Sequence, residues 1–224
     1  MDPIGIIEIA MDLLIFDLDG TLIDSRLDLA YAVNATRDHM GLAPLEFPTI
    51  YKYVGNGAPT LVRRALEDHA TDETVAEALE FFLSHYRQHV LDHTVLYPGV
   101  KASLDRLKAA GKRMAVLTNK PTDMSVAILQ GLGVGQDFFR VYGGDSLDVK
   151  KPDPRGIDLL MQEAGVDRDQ TLMVGDSAVD VHTARNAGVK CCGVTYGFQP
   201  ETLADPKPDV LLDRMEQVAD WILT

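Results

Sequence analysis

Three short apolar runs of this chain each end on polar residues that can handle phosphate or a metal ion. The runs are Leu13 to Phe16, Met114 to Leu117 and Thr171 to Val174. Short continuous apolar runs separated by helical patterns are typical of buried parallel strands, whose ligands bind beyond the carboxyl ends. We therefore expect the polar residues that follow the three runs to meet at one edge of a sheet.

Helical periodicity replaces the strand signal between residues 24 and 93. Apolar residues recur there at helical spacing in two stripes, Leu61/Val62/Ala65/Leu66 and Val75/Ala78/Leu79/Phe82/Tyr86. Such stripes indicate amphipathic helices that bury one face. The sequence therefore predicts a helical cap domain over 24–93, inserted into a core formed by 11–23 and 94–224.

Strands and helices alternate after Tyr97-Pro98-Gly99. Strand patterns occur at 113–118, 139–143, 171–175, 190–195 and 209–212, and helical patterns at 100–110, 122–131, 154–164, 178–187 and up to 223. This alternation indicates crossover units and a parallel sheet. The predicted fold class is α/β, a doubly wound parallel sheet with an inserted α-helical cap.

Acidic residues outnumber basic ones, 34 to 21, and the formal net charge is −13. This charge repels phosphate backbones, so no nucleic-acid partner is expected. Cys191 and Cys192 are adjacent in a predicted strand and point to opposite faces, which suits structural thiols in a reducing cytoplasm. Residues 1–10 have no basic leader and are too short to span a bilayer, so we predict a cytoplasmic protein with no membrane partner and assign these residues no function.

Asp17 and Asp19 lie two positions apart just after the first strand, so both can point into one site. A carboxylate that attacks a phosphate ester needs the repulsion between the anions cancelled, which a hard cation such as Mg²⁺ does. Asp17 is the predicted nucleophile, and Asp19 is the predicted acid that protonates the departing oxygen and later activates water. Gly20 permits a tight turn that aims amides at phosphate, and Thr21 can cap that turn.

Five further residues follow other predicted strands or start the helices after them. Thr118 and Asn119 offer a hydroxyl and amide donors to phosphoryl oxygens, although a Thr-Asn pair also serves as an ordinary helix cap. Lys151, fixed by the proline after it, suits a point charge against phosphate, or else is a solvated lysine. Asp176 is a predicted metal ligand, and Asp180 either supports the metal site from behind or complements a helix N-terminus.

The order and spacing of these residues resemble the four motifs of the haloacid dehalogenase-like superfamily, over nearly the whole chain. The matching positions are Asp17/Asp19, Thr118, Lys151 and Asp176/Asp180. The resemblance implies a Rossmann-like core, a helical cap after the first motif, a phosphoaspartate intermediate and Mg²⁺, for which we take Asp17, Asp19 and Asp176 as ligands. An aspartate at position 19 is similar to the phosphatase branch of that superfamily.

A narrower resemblance lies in the predicted cap. The segment Val54-Gly55-Asn56-Gly57-Ala58, followed by 61–66, is similar to the cap of bacterial phosphoglycolate phosphatases. Gly55, Asn56 and Gly57 are therefore candidate substrate-binding residues, because glycine allows close backbone approach, and Arg64 is a candidate partner for a substrate carboxylate. The alternatives are a turn between helices and a solvated arginine.

These features predict a Mg²⁺-dependent phosphomonoesterase acting on a small phosphorylated metabolite, with 2-phosphoglycolate as the favoured substrate. A sugar phosphomutase or sugar phosphatase of the same superfamily is the alternative among enzymes. A receiver-like module that carries phosphoaspartate, or an inactive scaffold, is the alternative outside enzymes. The sequence does not give the oligomeric state.

Overall fold

The computed structural model describes residues 11–224, so the predictions for residues 1–10 lie outside the described residues. Six parallel strands form one sheet, and a separate antiparallel pair joins two short strands. The strands are β1 (Leu13–Phe16), β2 (Ile23–Asp24), β3 (Val95–Leu96), β4 (Arg113–Leu117), β5 (Arg140–Tyr142), β6 (Thr171–Gly175), β7 (Lys190–Val194) and β8 (Val210–Leu212).

Helices connect these strands and cover both faces of the large sheet. They are α1 (Arg26–His39), α2 (Phe47–Tyr51), α3 (Ala58–Leu66), α4 (Asp72–Gln88), α5 (Val100–Ala109), α6 (Thr122–Gly131), α7 (Arg155–Ala164), α8 (Ala178–Ala187) and α9 (Met215–Leu223). Short 3₁₀ turns occur at Glu67–His69, Gly135–Asp137, Arg168–Gln170 and Pro200–Ala204. Within residues 11–224, no helix combines the length and the apolar character needed to cross a membrane.

The order of the large sheet is β5-β4-β1-β6-β7-β8, which places β1 between strands that come much later in the chain. The chain builds outward from β1 in both directions, so the point beside β1 is where the strand order reverses. Crevices at such reversal points are where parallel sheets bind ligands. The predicted α/β fold with a doubly wound parallel sheet is confirmed.

Successive residues of the buried strands serve opposite sides of the sheet. Leu14 and Phe16 pack in one hydrophobic cluster, and Leu13 and Ile15 pack in the other, because side chains alternate across a strand. The two cysteines follow the same rule. Cys191 and Cys192 are free, buried and divided between the two clusters, as predicted.

Helices α1 to α4 form an insertion between β2 and β3, which we call the helical insertion (residues 25–94). The apolar stripe of α4 faces inward, where Val75, Ala78, Phe82 and Tyr86 are buried. A capping box fixes the start of this helix, since the Thr71 hydroxyl accepts a hydrogen bond from the Thr74 N–H. The structure thus has helices where we expect the cap, while the division into domains at 24 and 93 stays a prediction.

The antiparallel pair β2–β3 lies where the chain leaves the core and returns to it. Ile23 pairs with Leu96 and Asp24 pairs with Val95. The sequence analysis missed both strands, because a two-residue strand has no periodicity to detect. Their pairing holds the two ends of the helical insertion side by side.

Candidate active site

Asp17, Thr118 and Asp176 meet because each follows directly after one of three adjacent strands. β1 pairs in parallel register with β4 on one side and with β6 on the other. The Asp17 N–H donates to the carbonyl of Val174 at 2.9 Å, which ties the end of β1 to β6. The expectation that polar residues converge at one edge of the sheet is therefore met.

The centre of this edge is a buried cluster of three carboxylates and one ammonium group. Asp17, Asp176 and Asp180 each bring a carboxylate oxygen within 4.8 Å of the others. The Lys151 ammonium lies 2.9 Å from Oδ1 of Asp17 and 2.6 Å from Oδ1 of Asp180. Its side chain is only 2% exposed, so the solvated alternative for this lysine is wrong.

Burial opposes the charge on this cluster. Burial, and then the charge of Asp180, raise the pKa of Asp17 from 3.8 to about 6, although Lys151 acts in the opposite direction. Burial raises the pKa of Asp176 well above its usual range, and the carboxylates of Asp180 and Asp17 add to the effect. One lysine therefore leaves the three carboxylates short of positive charge.

A hard divalent cation fits this arrangement. Converging buried carboxylate oxygens are the donors that Mg²⁺ prefers, and a cation among them offsets both the desolvation and the mutual repulsion that raise these pKa values. The backbone passes close to these carboxylates at Gly20, where a Cβ would lie 2.3 Å from Oδ2 of Asp176, so any larger residue there would displace this carboxylate.

Asp176 is held by two backbone N–H groups of the loop after β7 and by one side-chain hydroxyl. Its Oδ2 accepts the N–H of Phe198 at 2.6 Å and the N–H of Gln199 at 3.4 Å. The hydroxyl of the buried Thr21 reaches its Oδ1 at 3.4 Å. Gly20 and Thr21 therefore shape the surroundings of Asp176 in this structure, and neither lines the open cleft.

Asp180 stands closer to the cluster than the sequence analysis placed it. It lies in the first turn of α8, where its Oδ2 accepts hydrogen bonds from the N–H and hydroxyl of the N-cap Ser177, so it does complement a helix N-terminus. Its Oδ1 meanwhile faces Lys151 inside the carboxylate cluster. The helix-cap alternative is therefore confirmed, and support of a metal site by Asp180 stays a prediction.

Thr118 and Asn119 line the cleft, but the amide of Asn119 already has partners. Its Nδ2 donates to the carbonyls of Gly55 and Lys151, each at 3.2 Å. Its buried Oδ1 has no hydrogen-bond partner among the described residues. Asn119 therefore joins the helical insertion to the core here, while Thr118 also lines the cleft and its hydroxyl oxygen accepts the Lys120 N–H at 3.3 Å.

Asp19 lies on the cleft wall and turns away from the carboxylate cluster. Its Oδ1 accepts the hydroxyl of Ser25, and the ammonium of Lys120 lies 3.0 and 3.1 Å from its two oxygens. The structure therefore brings Asp17, Asp176 and Asp180 together as one group of potential ligands, and sets Asp19 in a separate ion pair.

The helical insertion supplies the opposite wall, which is mostly apolar. Its cleft-lining residues are Leu29, Val54, Gly55, Gly57, Ala58, Leu61, Phe82 and Tyr86. Gly55 and Gly57 both have positive φ and lie close to Gln199 and Asn119 of the core, so their role in binding substrate stays a prediction. Asn56 does not line the cleft, and its carbonyl accepts from Lys150 at 2.9 Å.

Arg64 is not brought to the cleft. Its side chain is exposed, and its guanidinium donates to the carbonyl of Tyr53 at 3.0 Å. No cationic side chain of the helical insertion lines the cleft within the described residues. The placement agrees better with the solvated alternative for this arginine.

Three residues of the site were not assigned by the sequence analysis: Lys120, Tyr86 and Gln199. Lys120 directly follows Thr118 and Asn119 at a strand end, which is a signal that could have found it. Gln199 follows β7 at the same edge and donates to the carbonyl of Val54 at 2.7 Å. Tyr86 belongs to an apolar helical stripe, and nothing in the sequence distinguishes its hydroxyl from a packing residue.

A parallel α/β sheet with buried carboxylates and a lysine at its reversal point defines the class of enzymes that handle phosphate or a metal ion at the strand ends. A model of the haloacid dehalogenase-like hydrolase family matches residues 14–194. The chain belongs to this family and is an enzyme of the hydrolase class.

Two relatives and one solved structure show the extent of the similarity. The chain is 43% identical over 213 residues to phosphoglycolate phosphatase of Pseudomonas fluorescens strain Pf0-1, covering 92% of this chain and 78% of the relative. It is 44% identical over 193 residues to phosphoglycolate phosphatase of Colwellia psychrerythraea, covering 84% and 85%. The structure of a predicted phosphoglycolate phosphatase from Haemophilus somnus 129PT superimposes with a TM-score of 0.89 at 33% identity, covering 94% and 97%.

Proposed function

We propose that this hydrolase cleaves a small phosphoric monoester, 2-phosphoglycolate to glycolate and phosphate, through a phosphoaspartate on Asp17. The observation that carries the proposal is the buried cluster of Asp17, Asp176 and Asp180 around Lys151 at the reversal point of the sheet. The names of the relatives support the choice of substrate.

Asp17 attacks phosphorus, the bond from phosphorus to the ester oxygen breaks, and Asp19 gives its proton to the departing oxygen. In the second half, Asp19 takes a proton from water, which attacks the phosphoaspartate and releases phosphate. The Thr118 hydroxyl faces the transferring group, and Lys151 holds Asp17 in position and offsets its charge. These are the roles that the sequence predicts, with Asp17 as the nucleophile and Asp19 as the general acid and base.

Asp17 and Asp176 are the side chains that would hold Mg²⁺, while Asp180, whose two oxygens already accept hydrogen bonds from Lys151 and Ser177, would support them from behind. When bound, Mg²⁺ offsets the negative charge that gathers as a phosphate anion approaches a carboxylate. Asp19, which the sequence analysis included among the ligands, is engaged with Lys120 and Ser25, so we assign its side chain to proton transfer alone. Cytoplasmic location stays a prediction.

The carboxylate of phosphoglycolate needs a partner on the cleft wall. The start of α3 is better placed for this than Arg64, because it lines the cleft and Arg64 does not. Gly57 is the N-cap of this helix and has no side chain to occupy the N–H of Ala58, and Pro59, the next residue, has no N–H to offer; Gly57 and Ala58 both line the cleft. Free N–H groups at a helix N-terminus attract anions. This assignment keeps Gly55 and Gly57 as substrate-binding candidates.

Phosphate release from a panel of esters tests the proposal. The panel contains 2-phosphoglycolate, glucose 1-phosphate, glucose 6-phosphate and p-nitrophenyl phosphate, each with Mg²⁺ and with excess chelator. We expect the highest kcat/KM for 2-phosphoglycolate and no release with chelator. A higher kcat/KM for a sugar phosphate, or conversion of glucose 1-phosphate into glucose 6-phosphate, contradicts the substrate and supports the alternative enzyme.

A further inference from the structure

Lys120 is a buried cation whose hydrogen-bonding capacity is fully used. Its side chain is 4% exposed, and its ammonium meets both oxygens of Asp19. Its remaining contact is the hydroxyl of Tyr86 at 2.6 Å. Because an ammonium group has three N–H donors, Lys120 has none left for a substrate and acts only through its neighbours.

Tyr86 brings the helical insertion into this contact. It lies on α4, and its ring lies beneath the Lys120 ammonium at 4.6 Å from the centroid, a cation–π distance. Burial raises the pKa of Tyr86 to about 12, so the phenol stays protonated at neutral pH. The lysine therefore lies between a carboxylate of the core and a neutral phenol of the insertion.

The second partner of Asp19 belongs to the other end of the insertion. Ser25 precedes α1, and its hydroxyl donates to Oδ1 of Asp19. Asp19 therefore takes its orientation from Lys120 on one side and from Ser25 on the other, and Lys120 takes its own from Tyr86. Removing the Tyr86 hydroxyl frees one donor of the ammonium and lets it move relative to Asp19.

We propose that Tyr86 and Lys120 are positioning residues, which fix the carboxyl group of Asp19 against the departing oxygen of the substrate only when α4 is seated on the core. The proposal rests on the proposed function, in which Asp19 protonates that oxygen. It predicts that substituting Tyr86 or Lys120 lowers kcat/KM by an amount that depends on the leaving group. A strongly basic oxygen needs a proton from Asp19 in order to depart, whereas a weakly basic oxygen departs without one.

The test compares kcat/KM of Tyr86→Phe and the unmodified protein on three esters. 2-Phosphoglycolate and phenyl phosphate have basic departing oxygens, while p-nitrophenyl phosphate matches phenyl phosphate in shape but has a weakly basic one. kcat/KM reports transfer to Asp17, the step that contains the departing oxygen. We expect Tyr86→Phe to lose about 10- to 100-fold on the first two esters, as a misplaced catalytic group does, and less than about threefold on the third.

Two further variants separate positioning of Asp19 from docking of the insertion. Lys120→Met should show the same leaving-group dependence, and the double variant Lys120→Met/Tyr86→Phe should lose no more than Lys120→Met alone, since both act by one route. Lys150→Met is the matched control. It removes another core lysine that contacts the insertion, at the Asn56 carbonyl, without touching Asp19, so any loss should be equal on all three esters.

The outcomes are distinct. Equal losses of Tyr86→Phe on phenyl and p-nitrophenyl phosphate would leave the proposed function intact and overturn the positioning role. The same leaving-group dependence in Lys150→Met would assign the effect to docking in general and overturn it as well. Failure of the unmodified protein to release phosphate from any of the three esters would overturn both proposals.

Discussion

The two walls of the cleft present different kinds of groups. The core wall carries charged side chains: Asp17 and Asp176 follow strands of the sheet directly, and Asp180 on α8 and Lys151 before α7 join them in one cluster. The wall from the helical insertion carries mostly apolar side chains. It contacts the core through backbone carbonyls of Val54, Gly55 and Asn56 and through the hydroxyls of Ser25 and Tyr86. The core therefore supplies charged groups at fixed positions, and the helical insertion covers them with a mostly apolar surface.

Because of this difference, the residues of the core wall can be predicted from the sequence more readily than those of the wall from the helical insertion. A charge at the end of a buried strand is visible as an abrupt change in the sequence, since strand and site share one position. A wall made of apolar side chains and carbonyls looks like any other helical surface. If the core wall supplies the reacting groups, substitutions there should cost more activity than substitutions on the helical insertion.

The largest loss is expected at Asp17. Asp17→Asn keeps the shape of the side chain but removes the nucleophile, so phosphate release should fall to background. Circular dichroism and melting temperature check that the variant folds. Substantial turnover by this variant would show that the phosphoryl group is not transferred to Asp17.

A smaller loss is expected at Asp19, on the same wall. Asp19→Asn should lower kcat by roughly 10²–10⁴-fold, the usual cost of losing general acid–base catalysis. Its affinity for Mg²⁺, measured by titration calorimetry, should stay close to that of the unmodified protein, because its side chain pairs with Lys120 and lies outside the carboxylate cluster. An affinity loss as large as that of Asp176→Asn would place Asp19 among the ligands.

Asp176→Asn should change stability in opposite directions with and without metal. Burial and the neighbouring carboxylates raise the pKa of Asp176, which means that its charged form destabilises the folded state at neutral pH. In chelator, removal of this charge should raise the melting temperature by roughly 2–4 °C for each kcal/mol gained. With Mg²⁺, the variant should lack the stabilisation that the unmodified protein gains.

The matched control for this experiment is Glu201→Gln, which removes one exposed negative charge. It should leave the melting temperature nearly unchanged both with and without Mg²⁺. If Asp176→Asn in chelator melts lower than the unmodified protein, the cluster is not short of positive charge and the electrostatic argument for a cation fails.

The smallest effect is expected at Arg64, on the insertion. Because its guanidinium is exposed and bound to the Tyr53 carbonyl, Arg64→Met should change kcat/KM for 2-phosphoglycolate by less than the roughly tenfold loss that a charged hydrogen bond would give. The ratio to p-nitrophenyl phosphate is the quantity to measure. A selective loss of kcat/KM on 2-phosphoglycolate would show that Arg64 binds the substrate carboxylate, and that the helical insertion contributes a charged group to the site.

The sequence predicted those features that depend on local pattern. The alternation of strands and helices, the buried runs before Asp17 and Asp176, and the separation of the cysteines all follow from periodicity, and each is found in the structure. The order of the strands around β1 was not predicted, because the sequence pattern identifies strands without showing which of them pair.

The remainder depends on contacts between distant residues. Lys120 is 101 residues from Asp19 and 34 from Tyr86, so no pattern within one element links the three. The sequence places Asp180 one helical turn after Asp176 but does not show which side chains it contacts. Its contact with Lys151, 29 residues earlier in the chain, is visible only in the structure.

The short pair β2–β3 has a consequence for how such a molecule can be rebuilt. Asp24 and Val95 lie directly opposite each other in an antiparallel pair, which is the geometry that a two-residue hairpin turn closes. An Asn-Gly turn could therefore replace everything between them without altering the course of the main sheet. The seventy residues between these positions behave, in topological terms, as a cassette with adjoining ends, which another helical module could replace while Asp17 and Asp176 stay where the sheet puts them.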